Sequence, residues 1–93
     1  MKNLKPDVQN EIIRLARDCG ITELILFGSR ARGDNSERSD IDLAVRGGKC
    51  ALFSALLEDV RTLLSFDVVN LDGPVQPELL NAIEKEGDVL YRD

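Results

Sequence analysis

Histidine is absent from this sequence of 93 residues. Imidazole is the side chain that enzymes most often use as a general base, and it is a common metal ligand. Its absence excludes, within this chain, any catalytic triad that contains histidine and any zinc site with histidine ligands. Chemistry performed by the chain must therefore use carboxylates, hydroxyl groups and bound metal ions.

Aromatic residues and cysteines are scarce. Aromatic residues make up 4% of the sequence, too few for a series of stacking platforms along a single nucleic acid strand. The net charge of −5 also disfavours nucleic acid and anionic membranes as partners. The two cysteines, Cys19 and Cys50, are not spaced as metal ligands, so we expect both to be reduced and to be buried or half-buried.

Long apolar runs are absent as well. No run approaches the roughly 20 apolar residues of a membrane-spanning helix, and Met1–Leu4 is not followed by the apolar stretch of a signal peptide. Hydrophobic residues at 43% and charged residues at 31% are typical of a folded soluble domain. We expect a single cytoplasmic domain that spans residues 1–93 and has one hydrophobic core.

Hydrophobic periodicity predicts alternating helices and strands. The predicted helices cover residues 6–19, 29–33, 52–64 and 77–86, and the predicted strands cover residues 22–27, 39–45, 65–71 and 88–91. This order indicates an α/β or α+β domain with a mixed sheet of about four strands. We expect the helices to lie mainly on one face of that sheet, which leaves the face with the carboxylates open.

A glycine-serine pair follows the first predicted strand. Gly28 allows the backbone to approach a triphosphate closely, and Ser29 offers a hydroxyl and an amide group where the next predicted helix begins. Arg30 and Arg32 add positive charge, and Gly33 allows a sharp turn. On its own this pattern is weak evidence, because an exposed basic loop has the same residues.

Two aspartates alternate on the next predicted strand. Asp40 and Asp42 should project from the same face, with roughly 6.5 Å between their Cα atoms. Such a pair suits two Mg²⁺ ions, which lie roughly 4 Å apart in nucleotidyl-transfer sites. Asp67 interrupts the following apolar run, where an unpaired carboxylate would cost several kcal/mol, so we predict that it is the third acid. The alternative is a solvent-facing aspartate on an edge strand.

The linked pattern of residues 28–33, 39–43 and 66–69 resembles that of the minimal nucleotidyltransferases of the DNA polymerase β superfamily, and the resemblance extends to residues 87–91. It implies a polymerase β-like core that uses Mg²⁺, with two ions expected, and ATP. The metal-binding and catalytic carboxylates that it implies are Asp40, Asp42 and Asp67. The nucleotide-binding residues that it implies are Gly28, Ser29, Arg30 and Gly33, whereas Arg32 is expected to be structural or exposed.

Members of this size resemble the antitoxin halves of two-gene modules whose other half is a helical HEPN ribonuclease toxin. The resemblance implies a hetero-oligomer in which the chain transfers AMP from ATP to a tyrosine of the toxin. One alternative is a non-catalytic antitoxin whose acidic surface occludes a basic cleft of the toxin. Another is a stand-alone nucleotidyltransferase that acts on a small molecule and completes its site by homodimerisation.

Overall fold

The computed structural model describes residues 4–34, 36, 39–60 and 64–93. Its elements follow one another as α1 (Pro6–Asp18), β1 (Glu23–Phe27), α2 (Ser29–Arg32), β2 (Ile41–Arg46), α3 (Cys50–Leu57), β3 (Phe66–Asn70), α4 (Pro77–Glu86) and β4 (Asp88–Arg92). The predicted order of helices and strands is confirmed. Most boundaries agree within one or two residues, and α4 agrees at both ends.

The predicted helix over residues 52–64 is wrong in its extent, because α3 ends at Leu57. The amides of the next three residues, Glu58, Asp59 and Val60, donate to carbonyls three residues earlier, which is a 3₁₀-type tightening that ends an α-helix. Val60 is nevertheless buried, so the apolar stripe continues into the core without helical structure. Leu63, which also belongs to the predicted stripe, lies outside the described residues.

The four strands form one mixed sheet in the order β3-β2-β1-β4. Strand β1 is antiparallel to both β2 and β4, and β2 is parallel to β3. The C-terminal end of β1 therefore lies beside the N-terminal ends of β2 and β3, on the side of the sheet where these strands end or begin. The predicted mixed sheet of about four strands is confirmed.

Alternation along the strands divides the core between the two faces of the sheet. Leu24, Leu26 and Leu43 pack in one cluster with the buried residues of α1 and α3. On the opposite face, Ile83 of α4 packs with a smaller cluster that includes Ile25, Phe27 and Ala44. Two of the three long helices thus share one face, in agreement with the expected arrangement. Helix α4 contacts β1 on this second face.

Both cysteines have the predicted environment. Cys19 is buried at the C-terminal end of α1, and Cys50 is half-buried at the first position of α3. Neither forms a disulfide. No described residues form a helix with the length and apolar character needed to cross a bilayer.

Candidate active site

The register of the sheet brings the predicted carboxylates together on the side of the sheet where β1 ends. Asp42 of β2 pairs with Phe27 of β1 on one side and with Asp67 of β3 on the other. Leu43 and Val68, the next residues on β2 and β3, pack against α1 and α3. Asp42 and Asp67 therefore project from the opposite face, because successive side chains alternate across a strand.

Asp42 is the half-buried centre of this group. Burial raises the pKa of its carboxyl group, and the negative charges of Asp67 and Asp40 raise it further. The positive charge of Arg32 acts in the opposite direction. Like charges that repel one another are stabilised when a divalent cation binds between them. The electrostatics of the cluster thus favour a cation.

Asp40 lies outside the strand to which the sequence assigned it, because β2 begins at Ile41. The preceding residue, Ser39, is hydrogen-bonded to Ser36: its hydroxyl accepts the Ser36 amide at 3.0 Å, and its amide donates to the Ser36 carbonyl at 3.2 Å. Such local bonds compete with strand pairing and delay the start of β2. Asp40 is exposed, and its charge is close enough to act on Asp42.

Asp67 is placed beside Asp42 by strand pairing and not by burial. Strand β3 is at the edge of the sheet, and Asp67 is exposed on it. The expectation that this carboxylate is desolvated is wrong. Asp67 is an exposed aspartate on an edge strand, as the alternative interpretation proposed. Its partnership with Asp42 is nevertheless direct, and its role as the third acid stays a prediction.

Gly28 connects the end of β1 to α2 in a conformation that favours glycine. Its φ of 75° and ψ of −156° are almost inaccessible to residues with a Cβ atom. A Cβ atom at this position would also overlap Oδ2 of Asp42. The space in front of the central carboxylate therefore exists because residue 28 has no side chain.

Helix α2 is one short turn that carries Ser29. The amides of Ala31 and Arg32 both donate to the Gly28 carbonyl at 3.1 Å, and Gly33 ends the turn in the left-handed conformation at a φ of 89°. The Gly33 amide donates to the Ser29 carbonyl at 2.9 Å. The predicted helical turn is confirmed, and it holds Ser29 directly after Gly28 at the site.

The two arginines of α2 point in different directions. Arg30 is buried, with 7% of its surface exposed, and its Nε donates to the Ser39 carbonyl at 3.0 Å. Arg32 is exposed, as predicted, and it pairs with Asp34 at 3.2 Å and with Glu86 of α4 at 3.0 Å. Arg32 is the arginine whose charge acts on Asp42.

The ion pair between Glu86 and Arg32 has no signal in the sequence. It joins the C-terminal end of α4 to α2 across 54 residues of sequence. Charged residues in the last turn of an amphipathic helix are ordinarily solvated, so nothing in the sequence distinguishes Glu86 from Glu84 or Lys85. Only the tertiary structure reveals the pairing.

The donor atoms of the site suit Mg²⁺, because this ion prefers carboxylate oxygens and keeps several of its water molecules. Among the residues that the structure describes, no three acidic, cysteine or histidine side chains form a group that could hold a metal ion. The register instead provides a pair, Asp42 and Asp67, and Asp40 is near enough to act on the pKa of Asp42. The residues present therefore fit a partly hydrated Mg²⁺ ion.

A mixed four-stranded sheet with a Gly-Ser turn beside carboxylates from two parallel strands defines the class as nucleotidyltransferases of the polymerase β-like fold. The family model described as "Polymerase beta, Nucleotidyltransferase" matches residues 10–93. The chain therefore belongs to this nucleotidyltransferase family. A comparison with curated proteins gives no significant match.

Solved structures with this fold include several toxin–antitoxin complexes. A chain in a crystal structure of a toxin–antitoxin with AMP-PNP is 26% identical, with a TM-score of 0.76 over 91% of this chain and 73% of that chain. A mutant of the toxin–antitoxin MntA-HpeT gives 24% identity and a TM-score of 0.75 over the same shares. A chain in the structure of a tri-AMPylated Shewanella oneidensis HEPN toxin in complex with MNT antitoxin is 22% identical, with a TM-score of 0.63 over 92% of this chain and 71% of that chain. The last two structures are less than 25% identical to this chain, so their similarity shows a shared fold alone.

Proposed function

We propose that this chain is a Mg²⁺-dependent nucleotidyltransferase that transfers AMP from ATP to a tyrosine hydroxyl of a partner HEPN ribonuclease toxin. In this role it acts as the cytoplasmic antitoxin of the pair. The observation that carries the proposal is the pairing of Asp42 with Asp67, with Gly28 leaving space before Asp42. The family and the toxin–antitoxin neighbour with AMP-PNP support it.

Asp42 and Asp67 would hold Mg²⁺ as a pair, and Asp40, whose charge already acts on Asp42, would join them as the third ligand when the ion binds. The ion would neutralise the triphosphate and the pyrophosphate that leaves. The tyrosine oxygen forms a bond to the α-phosphorus, and the bond from that phosphorus to the β-phosphate oxygen breaks. Asp67 is exposed beside Asp42, where it can accept the proton of a tyrosine whose ordinary pKa is about 10.

For the nucleotide we propose Gly28, Ser29, Arg30 and Gly33. Gly28 keeps the approach to Asp42 free of a side chain, and Gly33 ends the turn that carries Ser29. The side chain of Arg30 is buried, so its proposed contribution is to stabilise the conformation of this turn.

The acceptor is proposed to come from the partner. An open groove beside β3 is lined by Leu57, Phe66 and Val68 among others. Phe66 and Val68 pack on the face of α1 and α3, away from Asp67, so this groove does not provide an acceptor pocket at the carboxylates. A hydroxyl from a second protein in a hetero-oligomer can reach the exposed Asp67 directly.

Labelled ATP tests the proposal. The chain and its helical partner are incubated with ATP labelled at the α-phosphate and Mg²⁺, and label on the toxin is measured. We expect label with the wild type and with the control Asp59→Asn, whose carboxylate is exposed on the turn after α3. We expect none with the double variant Asp40→Asn and Asp42→Asn. Equal label with wild type and double variant, or no label with either, contradicts the proposal.

One observation favours the alternative of a non-catalytic antitoxin. The described residues contain no assembled group of three metal-binding side chains, and the net charge of −5 could complement a basic cleft. In that case the double asparagine variant would bind and neutralise the toxin as well as the wild type does. The same protein preparations therefore distinguish the two functions.

A further inference from the structure

Arg30 is the one charged residue that the described part of the structure buries in its interior. Burying a guanidinium costs several kcal/mol unless hydrogen bonds replace the lost water. Arg30 satisfies part of this requirement by donating from Nε to the Ser39 carbonyl at 3.0 Å. This bond connects α2, which carries the Gly-Ser turn, to the residue immediately before Asp40.

The segment around Asp40 is held on both sides. On one side the Ser39 carbonyl accepts Nε of Arg30. On the other side the Ile41 amide donates to the Ser65 carbonyl at 2.9 Å, at the point where β3 begins. Asp40 is itself exposed and outside the strand. Its backbone is therefore fixed through its two neighbours, by Arg30 at Ser39 and by the first bond between β2 and β3 at Ile41.

We propose that Arg30 is a positioning residue for Asp40: it holds the Ser39 carbonyl so that the Asp40 carboxylate stays beside Asp42. This inference rests on the proposed metal site. It assigns Arg30 a role different from direct contact with the triphosphate, because its Nε is directed to the protein backbone and its side chain is buried. Mutation of groups that orient metal ligands typically weakens metal affinity by about 10–100-fold.

The experiment measures Mn²⁺ binding, by titration calorimetry or by the relaxation of water protons, together with thermal unfolding. The variant is Arg30→Met, which keeps much of the side-chain volume and removes every donor. The matched control is Arg14→Met, which removes an arginine that is 59% exposed on α1. We expect Arg30→Met to bind Mn²⁺ about ten-fold more weakly, whereas Arg14→Met binds it as the wild type does.

A double-mutant cycle distinguishes positioning of Asp40 from a general structural role. If Arg30 acts through Asp40, Arg30→Met should weaken Mn²⁺ binding strongly in the wild type and hardly at all in an Asp40→Asn background. An equal loss in both backgrounds overturns the proposal, and so does wild-type affinity in a folded Arg30→Met.

Two further outcomes are decisive. If Arg30→Met does not fold, Arg30→Lys, which keeps the charge but lacks Nε, is measured in the same way. Failure of both variants to fold assigns Arg30 to the fold as a whole and overturns the proposal. If the wild type does not bind Mn²⁺, the proposed metal site is overturned and this inference with it. Wild-type binding with an unchanged Arg30 variant overturns only the role of Arg30.

Discussion

Asp42 and Asp67 are register partners on neighbouring parallel strands, so their side chains lie side by side on one face of the sheet. Their mutual repulsion is part of what raises the pKa of Asp42. A folded protein that retains such a pair is less stable than one in which the repulsion is removed. This cost gives the first prediction.

Asp42→Asn should leave the metal-free protein as stable as the wild type or more stable, by up to about 1 kcal/mol. The raised pKa means that folding disfavours the ionised carboxylate, which the asparagine lacks. Mg²⁺ should raise the unfolding temperature of the wild type and not that of the variant. Thermal unfolding with and without Mg²⁺ checks both statements, with Asp59→Asn as a control that responds as the wild type does. A strongly destabilised metal-free variant would contradict the electrostatic interpretation.

Gly28→Ala should destabilise the fold by about 1–3 kcal/mol and abolish binding of Mn²⁺ and ATP. The backbone at this position disfavours any residue with a Cβ atom, and the added methyl would overlap the Asp42 carboxylate. Gly73→Ala is the matched control, because its Cβ would lie 3.6 Å from the nearest atom, at ordinary contact distance. Chemical denaturation and metal titration of both variants provide the measurement. Equal behaviour of the two would show that the space before Asp42 is not required.

Stability should fall in acid because of Glu23. Hydrogen bonds from Arg92 and then Arg46 lower the pKa of its carboxyl group below the usual value. A lowered carboxyl pKa stabilises the folded state above the pKa of the unfolded chain, and this contribution is lost as the pH falls through the lower, folded value. Glu23→Gln should therefore cost about 1 kcal/mol near neutral pH, and the cost should shrink in acid. Urea denaturation at several pH values from neutral to acid measures it. A cost that stays constant with pH would refute the link to ionisation.

Ile83→Ala should cost about 2–4 kcal/mol and loosen α4. Ile83 is 2% exposed and is the one fully buried residue of this helix, where it joins the cluster of Ile25, Phe27 and Ala44. Leu52→Ala is the control, because Leu52 is 45% exposed and should lose far less stability. Hydrogen exchange of the α4 amides reports the local effect. Unchanged protection of α4 in the Ile83 variant would mean that the helix is held by other contacts.

The elements of the fold were predictable because each has a local signal. Helix α4 begins at a proline and ends before a glycine, and both of its boundaries agree with the prediction. Helix α3 was predicted too long because an apolar stripe with helical spacing does not reveal a 3₁₀-type turn at its end. The start of β2 differs from the prediction because Ser39 forms hydrogen bonds with Ser36 and not with a neighbouring strand.

The site was predictable in composition and less so in geometry. The pairing of Asp42 with Asp67 depends on the register of two parallel strands, which no local pattern encodes. The burial of Arg30 and the pairing of Arg32 with Glu86 depend on tertiary contacts in the same way. The family resemblance separated the two arginines in sequence, but local propensity alone does not show which of them the rest of the protein buries.

The Glu23 network lies at the opposite end of the β1–β2 pair from Asp42. Glu23 pairs with Arg46 and Phe27 with Asp42, so about four residues, or roughly 13 Å, separate the two places along the strand. Arginines neutralise the acid at one end, whereas acids gather at the other. Substitutions at the carboxylates should thus leave intact the ion pairs that brace the sheet. Variants without these carboxylates should for that reason be obtainable as well-folded reagents for testing whether the chain binds the proposed partner.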